Sequence, residues 1–249
     1  MNSHAGKAGI IRGRRCVLLV LLATGLCTGT TCTFTLHGDD DGIGGSASTG
    51  NYVPLDQADA TITIAESSDS DQADVTARIT QRFGFTVRLQ EGQDIAVNGQ
   101  SLTGPDYEGY YRATVPAASQ YIVTVTEPQR GVLNTTIASA GSLEITSPAA
   151  LAGASLSGFT ITWSGANPGL NVLITLTQTL FGDEIEAQFG PFADTGSHTL
   201  DYEDLGDFRQ GAALLITVTR LREQQTINGF RSGTLTAECS DTVAVTPTP

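Results

Sequence analysis

Few side chains in this 249-residue chain could do chemistry. Cys27 and Cys32 sit just behind an apolar run, where a bacterial lipobox places its acylated cysteine. Leu26 and Thr31 precede them, in place of the usual Gly, Ala or Ser. Either thiol is a candidate lipid attachment site. Several acyl chains on one cysteine hold a protein at a bilayer far better than a single chain does. Carboxylates cluster twice, at Asp183, Glu184 and Glu186 and at Asp201, Glu203, Asp204 and Asp207. Calcium takes about six to eight oxygen ligands, so Asp201, Glu203, Asp204 and Asp207 are candidate metal ligands. Paired carboxylates also serve glycoside hydrolysis, and Asp183, Glu186 and His198 are the residues such a hydrolase would use. Tyr107, Tyr110 and Tyr111 bunch after Pro105, and exposed tyrosines on a sandwich edge can stack on sugar rings.

No residue earns a catalytic assignment from this pattern. A G-x-S-x-G elbow is absent, as are glycine-rich phosphate loops and paired C-x-x-C zinc knuckles. The run Ser197-His198, with Asp201 behind it, carries no geometry of its own.

The compartment frames all of these residues. Arg12, Arg14 and Arg15 precede the apolar run Cys16–Leu26, and small residues follow. A basic stretch, a short apolar stretch and small residues make a secretory signal. The run is too short for a spanning helix, which needs roughly 20 residues. Ala23 and Gly25 also permit ordinary cleavage after Gly25, and Arg14-Arg15 resembles a twin-arginine motif. Residues 1–32 therefore read as an export signal, with the bacterial cell envelope as destination. The protein is expected to be lipid-anchored there, or else periplasmic or secreted.

Four of the 13 basic residues lie in the signal, leaving 9 against 26 acidic side chains, a net of −17. None of those nine is lysine. Such a surface repels nucleic acid, which binds through cations. If Cys27 is acylated, Cys32 can pair with Cys239; if Cys32 is acylated, Cys239 is free. Cys239 also reads as a small buried hydrophobe, sharing a strand face with Leu235 and Ala237. Residues 33–58, with Asp39-Asp40-Asp41-Gly42 and a Gly/Ser run, read as a flexible acidic tether.

From residue 59 the pattern has a period of two. Ile62 and Ile64, Val75 to Ile79, Phe85 to Leu89 and Tyr121 to Val125 alternate with threonine or arginine. Phe159 to Trp163, Val172 to Leu176, Leu214 to Val218 and Leu235 to Cys239 repeat it. This is the mark of half-buried antiparallel strands, and Asn98-Gly99 marks a hairpin. The expected fold is all-β: two tandem antiparallel β-sandwiches, at 59–142 and 143–249, with Trp163 in the second core.

Ile145-Thr146-Ser147-Pro148, Gly153 and Phe159-Thr160-Ile161-Thr162-Trp163-Ser164 resemble the opening of bacterial immunoglobulin-like domains. The whole layout resembles uncharacterised bacterial surface lipoproteins with tandem immunoglobulin-like sandwiches. Val97–Leu102, Tyr111–Pro116, Leu215–Arg220 and Ser232–Ala237 are the other shared stretches. The resemblance implies a lipid anchor but brings no established activity. The expected function is non-enzymatic, structural or adhesive, through contact with a protein or polysaccharide. The alternatives are a carbohydrate- or calcium-binding module and a hydrolase. No cofactor is expected except calcium on the acidic loop.

Overall fold

The computed structural model describes residues 52–81 and 84–249. The signal segment, Cys27, Cys32 and the first part of the tether lie outside them. Alternating apolar and hydroxyl-bearing residues form strands throughout. β1 (Asp59–Ser67), β2 (Gln72–Thr80), β3 (Asp94–Val97), β4 (Gln100–Ser101), β5 (Tyr110–Pro116), β6 (Gln120–Glu127) and β7 (Gly131–Ala138) come first. β8 (Ile145–Ser147), β9 (Gly153–Ser155), β10 (Gly158–Trp163), β11 (Asn171–Leu180), β12 (Asp183–Ala193) and β13 (Ser197–Asp201) follow. A one-turn helix α1 (Tyr202–Leu205), β14 (Leu214–Gln224) and β15 (Ser232–Thr248) complete the order. Among the described residues no helix is long and apolar enough to cross a membrane.

The fold is all-β, as the alternation predicts. Three sheets make two layers. The large sheet runs β12-β11-β14-β15-β1-β2-β5, with β9 added beside the end of β15. Two small sheets, β4-β3-β6-β7 and β13-β10-β8, pack against it. The first core lies under β3, β6 and β7, with Ile62, Ile64, Val75, Tyr121 and Val123. The second lies under β10 and β13, with Ile161, Trp163, Ile174, Leu200 and Ile216.

β15 belongs to both cores. Its Leu235 and Ala237 are in the first core, and Cys239, Val243 and Val245 are in the second. All five share one parity, and the pairing with β14 is continuous, so both cores lie on one face of the large sheet. Ile227 and Phe230, in the loop before β15, also enter the first core. A boundary at 142/143 thus divides the chain but not the cores. The first strand closes the arrangement: β1 pairs in parallel with β15, from Asp59↔Ser232 to Ser67↔Ser240.

Two local expectations change. Leu55 and Ala58, read as tether, are fully buried in the first core. Glu127 holds them there, accepting from the Tyr52 hydroxyl and the Leu55 amide, both at 2.9 Å. The Gln93 side chain holds the Val53 carbonyl at 2.8 Å. Residues 85–89 form no full strand. Their ladder is interrupted by a side chain: the buried Tyr111 hydroxyl accepts from the Leu89 amide and donates to the Val87 carbonyl.

A buried ion pair fixes the second core to the connection from the first. Arg220 and Asp194 are about 1% and 0% exposed, and Arg220 Nε meets Asp194 Oδ2 at 2.6 Å. The guanidinium also donates to the Ser142 and Ser164 carbonyls, at 2.7 and 2.9 Å. Asp194 accepts from Trp163 Nε1 at 2.7 Å and from the Asn167 amide at 2.9 Å. Burial alone would push the Asp194 carboxyl up; the Trp163, Asn167 and Arg220 donors outweigh it and hold the carboxyl below its usual range. Glycine is required at 165, where φ is +66° and a Cβ would lie 3.0 Å from the Ser142 carbonyl oxygen.

Candidate contact site at the far end of the second core

The residues singled out by type do not converge. Asp201 caps α1, its carboxylate accepting from the Glu203 and Asp204 amides at 2.8 and 3.2 Å. Asp204 reciprocates by accepting from the Asp201 amide at 3.0 Å. Their oxygens thus serve a capping box, the ordinary reason for acids at a helix start. Among the described residues no three His, Cys, Asp or Glu side chains gather as a metal site would require. Beside the cap lies a shallow depression of about 390 Å³ lined by Leu156, Tyr202, Leu205, Phe208 and Arg209. The Arg209 guanidinium there is engaged by the Phe208 carbonyl at 2.8 Å.

Ser197 and His198 are neighbours on β13 and point to opposite faces. His198 stacks on Phe192, ring centres 4.5 Å apart. Burial pushes its imidazole down, against the opposing pull of the Asp204 carboxylate. Asp183 and Glu186 stand on opposite faces of β12. Among the described residues Cys239 has no disulfide partner; its thiol is buried in the second core, and burial pushes its pKa up, as for a packing residue.

The tyrosine group splits. Tyr111 is about 1% exposed and spends its hydroxyl on the 87–89 backbone, so it offers no ring to a ligand. Tyr107 is about 91% exposed. Tyr110 lies between them in exposure, with the Arg78 and Arg112 guanidiniums 5.8 and 5.3 Å from its ring centre.

A different group does stand out. Three non-glycine residues among those described have positive φ: Asn98, Leu151 and Phe181. Asn98 sits in the Asn-Gly hairpin, where that geometry is expected. Leu151, at φ +61°, is about 78% exposed. Phe181, at φ +53°, is fully exposed. An L-residue held there costs roughly 1–2 kcal/mol, and neither side chain recovers it by burial. Neither a family model nor a curated protein sequence matches this chain. The surface has to be read from its own geometry.

Leu151 and Phe181 lie at one end of the second core. The Leu151 amide donates to the Ala244 carbonyl at 2.7 Å. Ala244 pairs with Leu215, about 41% exposed, and Leu215 pairs with Thr177 on β11. Leu151, Ala244, Leu215 and Thr177 therefore form a row across the sheet end. Phe181 crowns the β11–β12 hairpin just beyond it, in a two-residue turn with Gly182 at φ +91°. Exposed Asp183, Glu184 and Glu186 flank the tip. The far end is thus apolar at its centre and acidic at one rim. Sequence patterning missed it because exposed apolar residues in turns carry no period. The one available signal was Phe-Gly at a hairpin tip where Asn-Gly or Asp-Gly is favoured.

Proposed function

We propose that the chain is an exported, non-enzymatic surface protein, anchored by lipid at Cys27 or Cys32, that presents its second sandwich for contact. The architecture it would use is a pair of immunoglobulin-like sandwiches on a short tether, as the sequence resemblance implies. One observation carries the reading. Leu151 and Phe181 are exposed and strained at the sheet end remote from where the tether arrives. Strain kept without a packing benefit is typical of positions retained for contact. The tether meets the first core at residues 52–58 and enters the large sheet at Asp59, opposite Ser232, while the apolar row crosses β15 at Ala244. At the usual strand rise those points are roughly 40 Å apart, so the exposed end would face away from the anchor.

The contacted class is a protein or polysaccharide. The acidic rim and the net of −17 beyond the signal disfavour nucleic acid and anionic lipid. A test is to compare cells carrying the native chain with cells carrying Phe181→Asn and Leu151→Asn, by in-situ cross-linking and adhesion. The double variant is expected to be more stable by about 1–2 kcal/mol as strain is relieved, yet to lose the contact. Unchanged contact in a stabilised variant would overturn the reading. Intact mass and detergent partitioning of the native protein test the anchor: acyl mass on Cys27 or Cys32 is expected, and a lipid-free mass starting near Leu26 overturns it. Tyr107, exposed beside Tyr110, supports a second reading as a sugar-stacking platform. Tyr107→Ala with Tyr110→Ala would then abolish glycan retention.

A further inference from the structure

We propose that the parallel β1–β15 ladder is a mechanical clamp that makes the chain a force-bearing link between its tether and its exposed end. The inference rests on the reading above for where force is applied, and on the topology for how it is borne.

Any pull through the tether first meets the strap at residues 52–58 and then reaches the large sheet at β1. β1 begins at Asp59, at the end of the large sheet away from the second core, and runs toward that core beside β15. The second core holds β15 from the opposite end, through β14 at Leu214–Leu221 and β9 at Gly153–Ser155. Tension between tether and second core therefore pulls β1 and β15 past each other along their common axis. All nine register pairs, Asp59↔Ser232 to Ser67↔Ser240, resist together. An antiparallel β1 would begin beside the second core, and the same pull would open its pairs one at a time. Parallel pairing is what puts the bonds in shear.

The two ends of the ladder are reinforced. At the tether end, the Asp59 carboxylate takes a two-pronged contact from the Arg231 guanidinium and a 2.6 Å bond from the Ser232 hydroxyl. The Arg231 amide donates to the Ala58 carbonyl at 2.9 Å. At the other end the Ser68 amide reaches the Ser240 carbonyl at 3.1 Å, and its hydroxyl reaches Asp241 at 2.9 Å. Just inside, Glu66 accepts from the Tyr121 and Ser139 hydroxyls, tying β1 to the small sheet above it. Upstream, Leu55 and Tyr52 are held by Glu127, so the strap must be stripped before the ladder is loaded.

The test is single-molecule pulling on the full chain in two directions. One tag follows Gly50 in both cases. The second tag follows Pro249 for shear, or is inserted at exposed Thr226, beside the start of β15, for peeling. Rupture under rising force is governed by the unfolding barrier along the pulled direction. The Gly50–Pro249 geometry is expected to rupture at a severalfold higher force than the Gly50–Thr226 geometry. Equal forces, or a weaker Gly50–Pro249 direction, overturn the clamp. Both measurements use purified chain. A lipid-free protein or an inert Phe181 surface would sink the proposed function without changing the force ratio, and a missing ratio would sink the clamp alone.

Discussion

Arg220 and Asp194 show how much one buried pair can decide. Each is almost completely buried, and each finds further donors or acceptors besides the other. Removing one partner strands a charge, which typically costs about 3–5 kcal/mol. Arg220→Leu is accordingly expected to lower the unfolding free energy by about that much, read by urea titration at neutral pH. The pH dependence has a definite sign. The folded Asp194 carboxyl titrates below its unfolded value, so its contribution is complete above about pH 4 and is lost as pH falls through the folded value. In Arg220→Leu the Trp163 and Asn167 donors remain, but the raising effect of burial loses the opposition of the cation paired with Asp194 in this core. The deficit of that variant should shrink on acidification, and a deficit independent of pH would show that the ion pair is not its origin. Nothing in the residue pattern announced this pair. Alternation marks position 220 as inward-facing, but only the fold reveals that Asp194, Ser142 and Ser164 converge on it.

At the level of the element, most strands were legible. Ile62 and Ile64, Tyr121 to Val125, Phe159 to Trp163 and Leu214 to Val218 alternate because one face is buried, and they form β1, β6, β10 and β14. Residues 85–89 carry the same alternation without a full ladder, since a tyrosine hydroxyl from β5 takes the hydrogen bonds a strand would have used. The segment before β1 misled for the opposite reason. Tyr52, Pro54 and Asp56 look like loop, and Val53, Leu55 and Ala58 are apolar without a regular period, yet a buried carboxylate on β6 draws the segment in. Leu55→Ala is expected to cost about 2–5 kcal/mol, the range for a buried leucine. Calorimetry of the variant would check it, and a cost near zero would return residues 52–58 to the tether. The acidic loop at Asp201–Asp207 was visible as a cluster, but its use as a helix cap depends on where α1 starts.

The whole molecule behaves as two cores on one sheet. Leu235 and Ala237 complete the first core, and Cys239, Val243 and Val245 complete the second, from a single strand. A strand pattern cannot disclose this, because period two says which face is buried and not against what. The expected consequence is one cooperative thermal transition, with calorimetric and van't Hoff enthalpies in agreement. A fragment ending at 142 should fail to fold alone, lacking Ile227, Phe230, Leu235 and Ala237. Two resolved transitions, or a folded 52–142 fragment, would show instead that the cores are independent.

The shared strand also sets a schedule. Asp59 and Ser232 are 173 positions apart, so β1 waits for all the intervening residues to be made before it meets its parallel neighbour. Contacts of such sequence separation slow folding, since the loop must close before any pairing is rewarded. Neither core can seal until β15 has left the ribosome. A nascent chain of this design stays open until β15 is made, and then both halves lock in the same event.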